Sequence, residues 1–441
     1  MKVQSPVNFS WKKAWKEFAP AFVVVVNTLV WYIISYVILN SIIGESAPEL
    51  QGLFFLVYYI AIALSAIIGA YILPRAERLG LALWMLFGAL VSSLMIFIQS
   101  SNELVTLIIL VLLGVSVGSG LPSALAYFAN RTAIEKRGLL GGIIWSAIGF
   151  IILLLLVVVG IFGVTLGLLT LVAWRLSGFV LFLLLDRKQA ISSGHATPSY
   201  RNILKRRDVL LYLLPWLMFS IVNFIETPLL DNIMGQELTT TLGLIEFVIL
   251  GIFAIIGGFM ADAFGRKRVV ITGFVLLGIN YALLSVFSGN PISWYVYTFL
   301  DGVTWGMFAV VFFMAVWGDL AMDSRKEKYY VLGGLPYLLS GLLPILVQPY
   351  VVSVEPSMAF SLASFFLFIA VLPLIYAPET LPEKHVKERD LKNYIEKAKK
   401  MVEKNKKTSE NEDSSESKSD DQTENNSEEY DKAKKLAEQY Y

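Results

Sequence analysis

The sequence predicts an all-α polytopic membrane protein with twelve transmembrane helices in two six-helix repeats and both termini in the cytoplasm. Three observations carry this expectation. Of the 441 residues, 56% are hydrophobic and only 16% are charged, a balance that soluble domains do not keep. The charges gather in short connectors whose sign alternates along the chain. A pattern of eight positions, E-K-x-x-x-L-G-G, recurs at equivalent places in the two halves.

Ahead of the first span, Trp11, Trp15 and Phe18 share one helical face, with Lys12, Lys13 and Lys16 on the others. Residues 1–18 therefore read as a short helix in the cytoplasmic interface, with no cleavable signal peptide in front. Apolar runs follow at roughly 20–40, 51–73, 79–99, 103–128, 139–161, 163–185, 209–231, 239–261, 268–288, 292–318, 330–352 and 357–376. A crossing takes about 20 residues, so these count as twelve.

Bases should collect in every second connector, and they do. Arg75 and Arg78, then Arg131, Lys136 and Arg137, then Arg187 through Arg207, then Arg266 to Arg268, then Arg325, Lys326 and Lys328 mark the inner loops. The outer loops hold Glu45, Glu49, Glu103, Asp231, Glu237 and Glu355, with no lysine or arginine.

The polar, basic connector 186–208 separates a bundle at 19–185 from a second at 209–376. Across it, Glu135-Lys136-Arg137-Gly138-Leu139-Leu140-Gly141-Gly142 aligns with Glu327-Lys328-Tyr329-Tyr330-Val331-Leu332-Gly333-Gly334. The same register pairs Ala129 with Ala321 and Gly149 with Gly341. This indicates two repeats of parallel orientation. Residues 377–441 form a charged tail, with a mixed-charge helix over Glu383 to Lys404 and a disordered stretch from Asn405 to Glu429.

Several function classes recede on composition. A net charge of +1 with bases dispersed between spans gives no nucleic-acid footprint. There is no cysteine, and His195 and His385 have no metal-ligand partner at useful spacing, so no metal site is expected. No G-x-x-x-x-G-K-S/T sequence occurs, which points away from ATP drive, and no catalytic constellation suggests an enzyme.

The tight connector after the eighth span carries Gly258, Asp262, Gly265, Arg266, Lys267 and Arg268. It resembles the loop signature of the major facilitator superfamily, G-x-x-x-D-x-x-G-R-K/R. Ala377-Pro378-Glu379-Thr380 resembles the P-E-T segment after the last span of sugar-porter-like members. The resemblance covers roughly the first 380 residues and extends to the sugar-porter-like or the drug and metabolite branch. It implies alternating access about a midplane site, with spans 1, 4, 7 and 10 lining the cavity, 2, 5, 8 and 11 forming interface and gates, and 3, 6, 9 and 12 outside. The first-half loop departs from the pattern: Leu73 stands where the second half has Asp262. The inner latch is therefore expected to be asymmetric, with Asp262 against the start of span 5 near Gly138 to Gly141. The start of span 11 would then be held by Asp319 or Arg75.

Ionisable groups inside spans carry functional hypotheses. Asp301, about 14 Å into span 10 at 1.5 Å per residue, is the leading candidate for proton coupling or substrate binding. Glu246 in span 8 is a second candidate. Glu226, some 25 Å from the inner end of span 7, lies near the outer surface, where hydration alone would account for it. Arg175, in the middle of span 6, either turns inward to an anion or acid or snorkels to a wet region. Asn27 and Trp31 in span 1, Trp216, Ser220 and Asn223 with Thr227 in span 7, Thr304 and Trp305 in span 10, and Tyr337 in span 11 are expected to line the cavity. For Ser116, Ser119 and Ser123 in span 4, packing is the favoured alternative.

The expected function is that of a secondary transporter, a symporter or antiporter, moving a small solute across the cell membrane by alternating access. It needs no cofactor, with H+ as the candidate coupling ion, and acts as a monomer in the lipid bilayer without nucleic acid. Two alternatives stand beside it: a multidrug or toxic-compound exporter, and a transporter-like receptor or scaffold signalling through its tail.

Overall fold

The computed structural model describes residues 11–100, 102–186, 197–322, 324–351 and 353–382, and among them the regular structure is helical with no strand. The tail from 383, both histidines and residues 187–196 lie outside the described residues, together with the expectations placed on them. By internal contacts the chain divides into 1–380 and 381–441; the contacts below all fall within the first unit.

Ten helical runs among the described residues are long and apolar enough to cross a membrane, against the twelve predicted. The difference lies in Gln51–Ile98, of 48 residues, and Ile134–Leu185, of 52. At 1.5 Å per residue each is about 72–78 Å long, more than twice a hydrocarbon core of ~30 Å. Both are broken near the middle. α2 (Gln51–Ile72) passes through a 3-10 turn at Leu73–Ala76, carrying Pro74, into α3 (Glu77–Leu94). α5 (Arg137–Leu185) is interrupted at Gly163, whose φ of 78° and ψ of 177° suit a residue without a side chain.

Of the interfacial helix expected over 1–18, only the part from Trp11 lies within the described residues. α1 (Trp11–Ser46) is one helix of 36 residues that continues through Pro20 into the first span. α4 (Glu103–Arg131) begins at Asn102, whose side chain accepts from the Val105 N–H at 3.0 Å, the N-cap arrangement that satisfies an orphan donor. The short α6 (Tyr200–Leu204) precedes α7 (Arg207–Met234), α8 (Gln236–Phe264) and α9 (Arg266–Phe287). Single glycines join these last three, Gly235 at φ 81° and Gly265 at φ 102°. A side chain at Gly265 would also strike the Glu379 carboxylate.

α10 (Pro291–Phe308) runs into a π-helical stretch at Ala309–Ala315 and then α11 (Val316–Leu320). This run is the most enclosed of the ten, with 89% of its apolar stretch buried. α12 (Glu327–Ser340) and α13 (Leu343–Val351) are separated by a turn at Gly341, and α14 (Pro356–Tyr376) packs on α9 and α7.

The helices sort their faces as a bilayer requires. On α2, Leu53, Ile60, Leu64 and Ile68 are exposed, while Phe55, Tyr58, Ile62 and Ala66 are buried. Such an apolar stripe faces lipid tails without penalty and would be a liability in water. Small residues bring helices together. α5 meets α8, and α2 meets α12. A Cβ on Gly142 would strike the Ala254 carbonyl, and one on Gly258 would strike that of Gly138, so α5 and α8 touch backbone to backbone. The repeat is not symmetric in contact: Gly142 lies against the Ala254 backbone, whereas its partner Gly334 has only the Leu338 side chain near it, at 4.0 Å.

Candidate functional site: a latched end and an acidic, aromatic cavity

At one end, the start of α5 is held by the α8–α9 turn. Asp262 accepts hydrogen bonds from the backbone N–H groups of Gly138 at 2.9 Å and Leu139 at 2.7 Å, at a helix N-terminus where a carboxylate is favoured. Asp262 also pairs with Arg266 at 2.9 Å. Buried Arg137 donates through Nη1 to Asp319 Oδ1, and buried Arg266 donates through Nε to Asp319 Oδ2 at 3.2 Å. Their remaining N–H groups reach carbonyls, Arg137 that of Ala129 at 2.7 Å and Arg266 those of Ala261 at 2.8 Å and Ile134 at 2.5 Å. Two guanidinium groups thus face two carboxylates with their donors satisfied, the condition under which buried charge is tolerated. Glu379 adds its carboxylate to the α9 N-terminus, accepting from Arg266 N–H at 2.8 Å and Lys267 N–H at 3.2 Å, while Lys267 Nζ donates to the Ile375 carbonyl.

Asp319 therefore lies between Arg137 and Arg266 and not at the start of span 11. There Lys328 takes the holding position: its Nζ donates to the Pro198 carbonyl at 2.9 Å and lies 5.3 Å from the ring centres of Tyr71 and Tyr200. Burial pushes the Tyr200 phenol up to about 12, which keeps that ring neutral under the ammonium. Arg75 rests on the outer part of this group, 5.2 Å from the Tyr71 ring centre. With Leu73 in place of an acid, the first-half loop offers aromatic faces instead of a carboxylate.

Toward the opposite end lies a cavity of about 340 Å³. α7 contributes Asn223, Glu226 and Thr227, α8 contributes Glu246, α10 contributes Tyr297, Thr298, Asp301 and Trp305, and α12 contributes Tyr337. From the first half come Tyr32 and Tyr36 of α1, Tyr59 of α2 and Trp145 of α5. Glu226 is 7% exposed and Asp301 3%. The Tyr297 hydroxyl donates to Glu226 Oε1 at 3.0 Å, and the Asp301 and Glu246 carboxyls are within hydrogen-bonding reach of each other. Two carboxyls so placed can share a proton. Glu226 Oε2 and Asp301 Oδ1 have no protein partner. Trp145, Trp305 and Tyr337 rest on Phe313 and Phe219, where the π-helical stretch and α7 interlock: Trp216 stacks on Phe312 at 4.5 Å.

The structure brings Asp301, Glu226, Glu246, Asn223, Trp305 and Tyr337 into this one cavity. Glu226, expected near the surface and hydrated, is enclosed instead, because α10 closes over it with Tyr297. Trp216 and Ser220 share the face of Asn223 but lie deeper, in packed core: Trp216 Nε1 donates to the Gly333 carbonyl at 2.7 Å and Ser220 Oγ to the Trp216 carbonyl at 2.8 Å. Thr304 is buried and donates to the Leu300 carbonyl. Asn27 and Trp31 face α3 and α5, where they surround Arg175. That guanidinium is buried between the Trp31 and Trp84 rings, 4.5 and 4.4 Å from their centres, and donates to Asn27 Oδ1 at 2.9 Å and Thr28 Oγ1 at 3.0 Å. Arg175 turns inward to aromatic faces and neutral oxygens, not to an acid. Ser116 and Ser123 of α4 are buried in packing and do not line the cavity.

The sequence reasoning missed the tyrosines of the first half and Trp145. The signal for Tyr32 and Tyr36 was present as an i, i+4 pair, one position around the helix from Trp31. Because α1 is enclosed on most sides, its polar stripe did not reveal which face meets the cavity.

Comparisons with known proteins agree with this architecture. Residues 209–410 match the family model described as Major Facilitator Superfamily. No curated relative matches the sequence. The structure is similar to that of the human organic anion transporter MFSD10 (TETRAN), with a TM-score of 0.61 and 13% identity over 84% of this chain and 100% of that one. A variant of the E. coli fucose:proton symporter FucP matches at TM-score 0.64 and 12% identity, covering 82% of this chain and 98% of that one. The proton:xylose symporter XylE matches at TM-score 0.62 and 16% identity, covering 82% and 96%. The family match on the second half and the fold match over four-fifths of the chain coincide: the chain has the fold of these membrane transporters, and its residues 209–410 are similar in sequence to the Major Facilitator Superfamily.

Proposed function

We propose that the chain is a secondary active transporter that carries a small solute across the cell membrane by alternating access, with protons as the coupling ion and the monomer as the working unit. The observation that carries this reading is the opposition of the two ends. One end is closed by contacts between the halves through Asp262, Arg137 and Asp319, while the cavity holding Asp301 lies toward the other.

Sidedness follows from charge. Arg131, Lys136, Arg137, Arg266, Lys267 and Lys328 crowd the latched end, which the positive-inside rule puts in the cytoplasm. The state described is then outward-facing. Counting the runs Gln51–Ile98 and Ile134–Leu185 as two crossings each supports twelve spans, two bundles of six, and termini on the inner side. In this reading Gly258, Asp262, Gly265, Arg266 and Lys267 form the inner gate, and Asp301 with Glu246 is the proton-carrying pair. The two neighbours named as proton symporters support coupling to protons by analogy of fold alone.

Proteoliposomes under an imposed pH gradient test it. The wild type accumulates or expels solute with the gradient, and Asp301→Asn loses that dependence while melting as a folded protein. Gradient-driven transport undiminished in Asp301→Asn would overturn the coupling role.

A further inference from the structure

We propose that the solute is an organic monocation, a substituted ammonium with an aromatic or branched apolar body; this rests on the transporter reading and deepens it. The charge of the cavity has one sign. Glu226, Glu246 and Asp301 line it, and none of its described lining residues is lysine, arginine or histidine. An anionic solute would meet three acids and no counter-charge there.

The free hydrogen-bonding capacity is acceptor-rich. Glu226 Oε2 and Asp301 Oδ1, on side chains more than nine-tenths buried, face the cavity without a protein partner. The neutral polar groups are already engaged within the protein: Asn223 Oδ1 accepts from Trp305 Nε1 at 3.2 Å, Thr227 donates to the Asn223 carbonyl and Thr298 to that of Trp294. Tyr36 and Tyr59 are hydrogen-bonded to each other. The Trp145 indole N–H is a buried donor without a protein partner. A sugar, which needs donors and acceptors in pairs around its ring, would set its hydroxyls against two unpartnered carboxylate oxygens of buried acids. An ammonium, which presents only positive charge, finds what it requires.

The remaining wall is aromatic. Trp145, Trp305, Tyr337 and Tyr36 offer ring faces of the kind that attract quaternary ammonium groups. A bare metal ion fits poorly: no metal-holding group of three or more His, Cys, Asp or Glu occurs among the described residues, and about 340 Å³ is room for a molecule. The cavity chemistry thus departs from the anion and sugars named for proteins of the same fold.

The test uses the full chain, purified, with two probes of one shape, benzyltrimethylammonium and its uncharged carbon isostere neopentylbenzene, and with the aromatic anion benzenesulfonate. Binding is read by calorimetry and by the fluorescence of the cavity tryptophans. The expected result is that the cation binds at least about tenfold tighter than the isostere, with no binding of the anion. Asp301→Asn and Glu226→Gln, each checked for an unchanged melting profile, should each weaken the cation about tenfold and leave the isostere unaffected; if one variant fails to fold, the other carries the comparison. Equal binding of isostere and cation, preference for the anion, or cation binding untouched in both variants would overturn the proposal. Flux in proteoliposomes separates the two levels. Movement of xylose or benzenesulfonate without movement of the cation overturns the cation and leaves the transporter, whereas no flux of any of the three overturns the transporter reading and this one with it.

Discussion

Asp262→Asn is the sharpest perturbation of the latch. The Asp262 carboxylate accepts from the N–H groups of Gly138 and Leu139 across the two halves, and both bonds exist only while that end is closed. Asparagine keeps one acceptor and turns an NH2 toward donors. It therefore forfeits one charge-assisted hydrogen bond, about 1.5–3 kcal/mol, and the favourable interaction of a charge with the α5 N-terminus, about 0.3–1 kcal/mol. The Asp262–Arg266 pair lies within the second half and cancels between states. The net shift toward opening is on the order of 2 kcal/mol, roughly thirtyfold in the equilibrium. Because the chain has no cysteine, Met314→Cys reports it directly: Met314 lies against Gly141 between the halves at the latched end. Its rate of labelling by a membrane-impermeant thiol reagent should rise in proportion in the Asp262→Asn background. An unchanged rate, with the protein folded, would refute the latch.

Three other perturbations follow from the packing. Gly142→Leu forces a side chain into the α5–α8 backbone contact at Ala254; overpacking costs about 1–3 kcal/mol, to be seen as a lower melting temperature in detergent. Arg175→Ala removes a guanidinium held between Trp31 and Trp84 and should destabilise by on the order of 2 kcal/mol, measured by thermal unfolding, with cation binding in the acidic cavity unchanged. Glu379→Gln leaves the Arg266 and Lys267 N–H groups with a neutral cap, a loss of about 1 kcal/mol, read as faster hydrogen exchange in the first turn of α9.

Much of this architecture was legible because a bilayer imposes simple rules. Apolar length marked the runs, and the alternation of bases marked their ends. What hydropathy did not show was that two connectors are absorbed into continuous helix, since a 3-10 turn at Leu73–Ala76 and a single residue at Gly163 leave the apolar pattern nearly unbroken. The site was partly legible for a related reason. A carboxyl in a span is costly and conspicuous, so Asp301, Glu226 and Glu246 stood out, and all three converge. Aromatic residues are ordinary in membrane helices, so nothing distinguished Tyr36 and Trp145 in the cavity from Trp31 and Trp216 in the core. Asp319 was noticed as a spare acid, but its place between Arg137 and Arg266 depends on how α11 docks against the other half, which residue spacing does not encode.

The opposition of the two ends is the central claim, and a pair of interspin distances tests it most directly. Labels at Asn130 and Lys326, which touch at 2.6 Å across the latched end, and at Asn40 and Glu237 beyond the cavity end would be measured by pulsed electron spin resonance in the same lipid. The account predicts that Asp262→Asn lengthens the first distance and shortens the second. If the two distances change together, or the first lengthens while the second stays fixed, the halves do not alternate about the cavity.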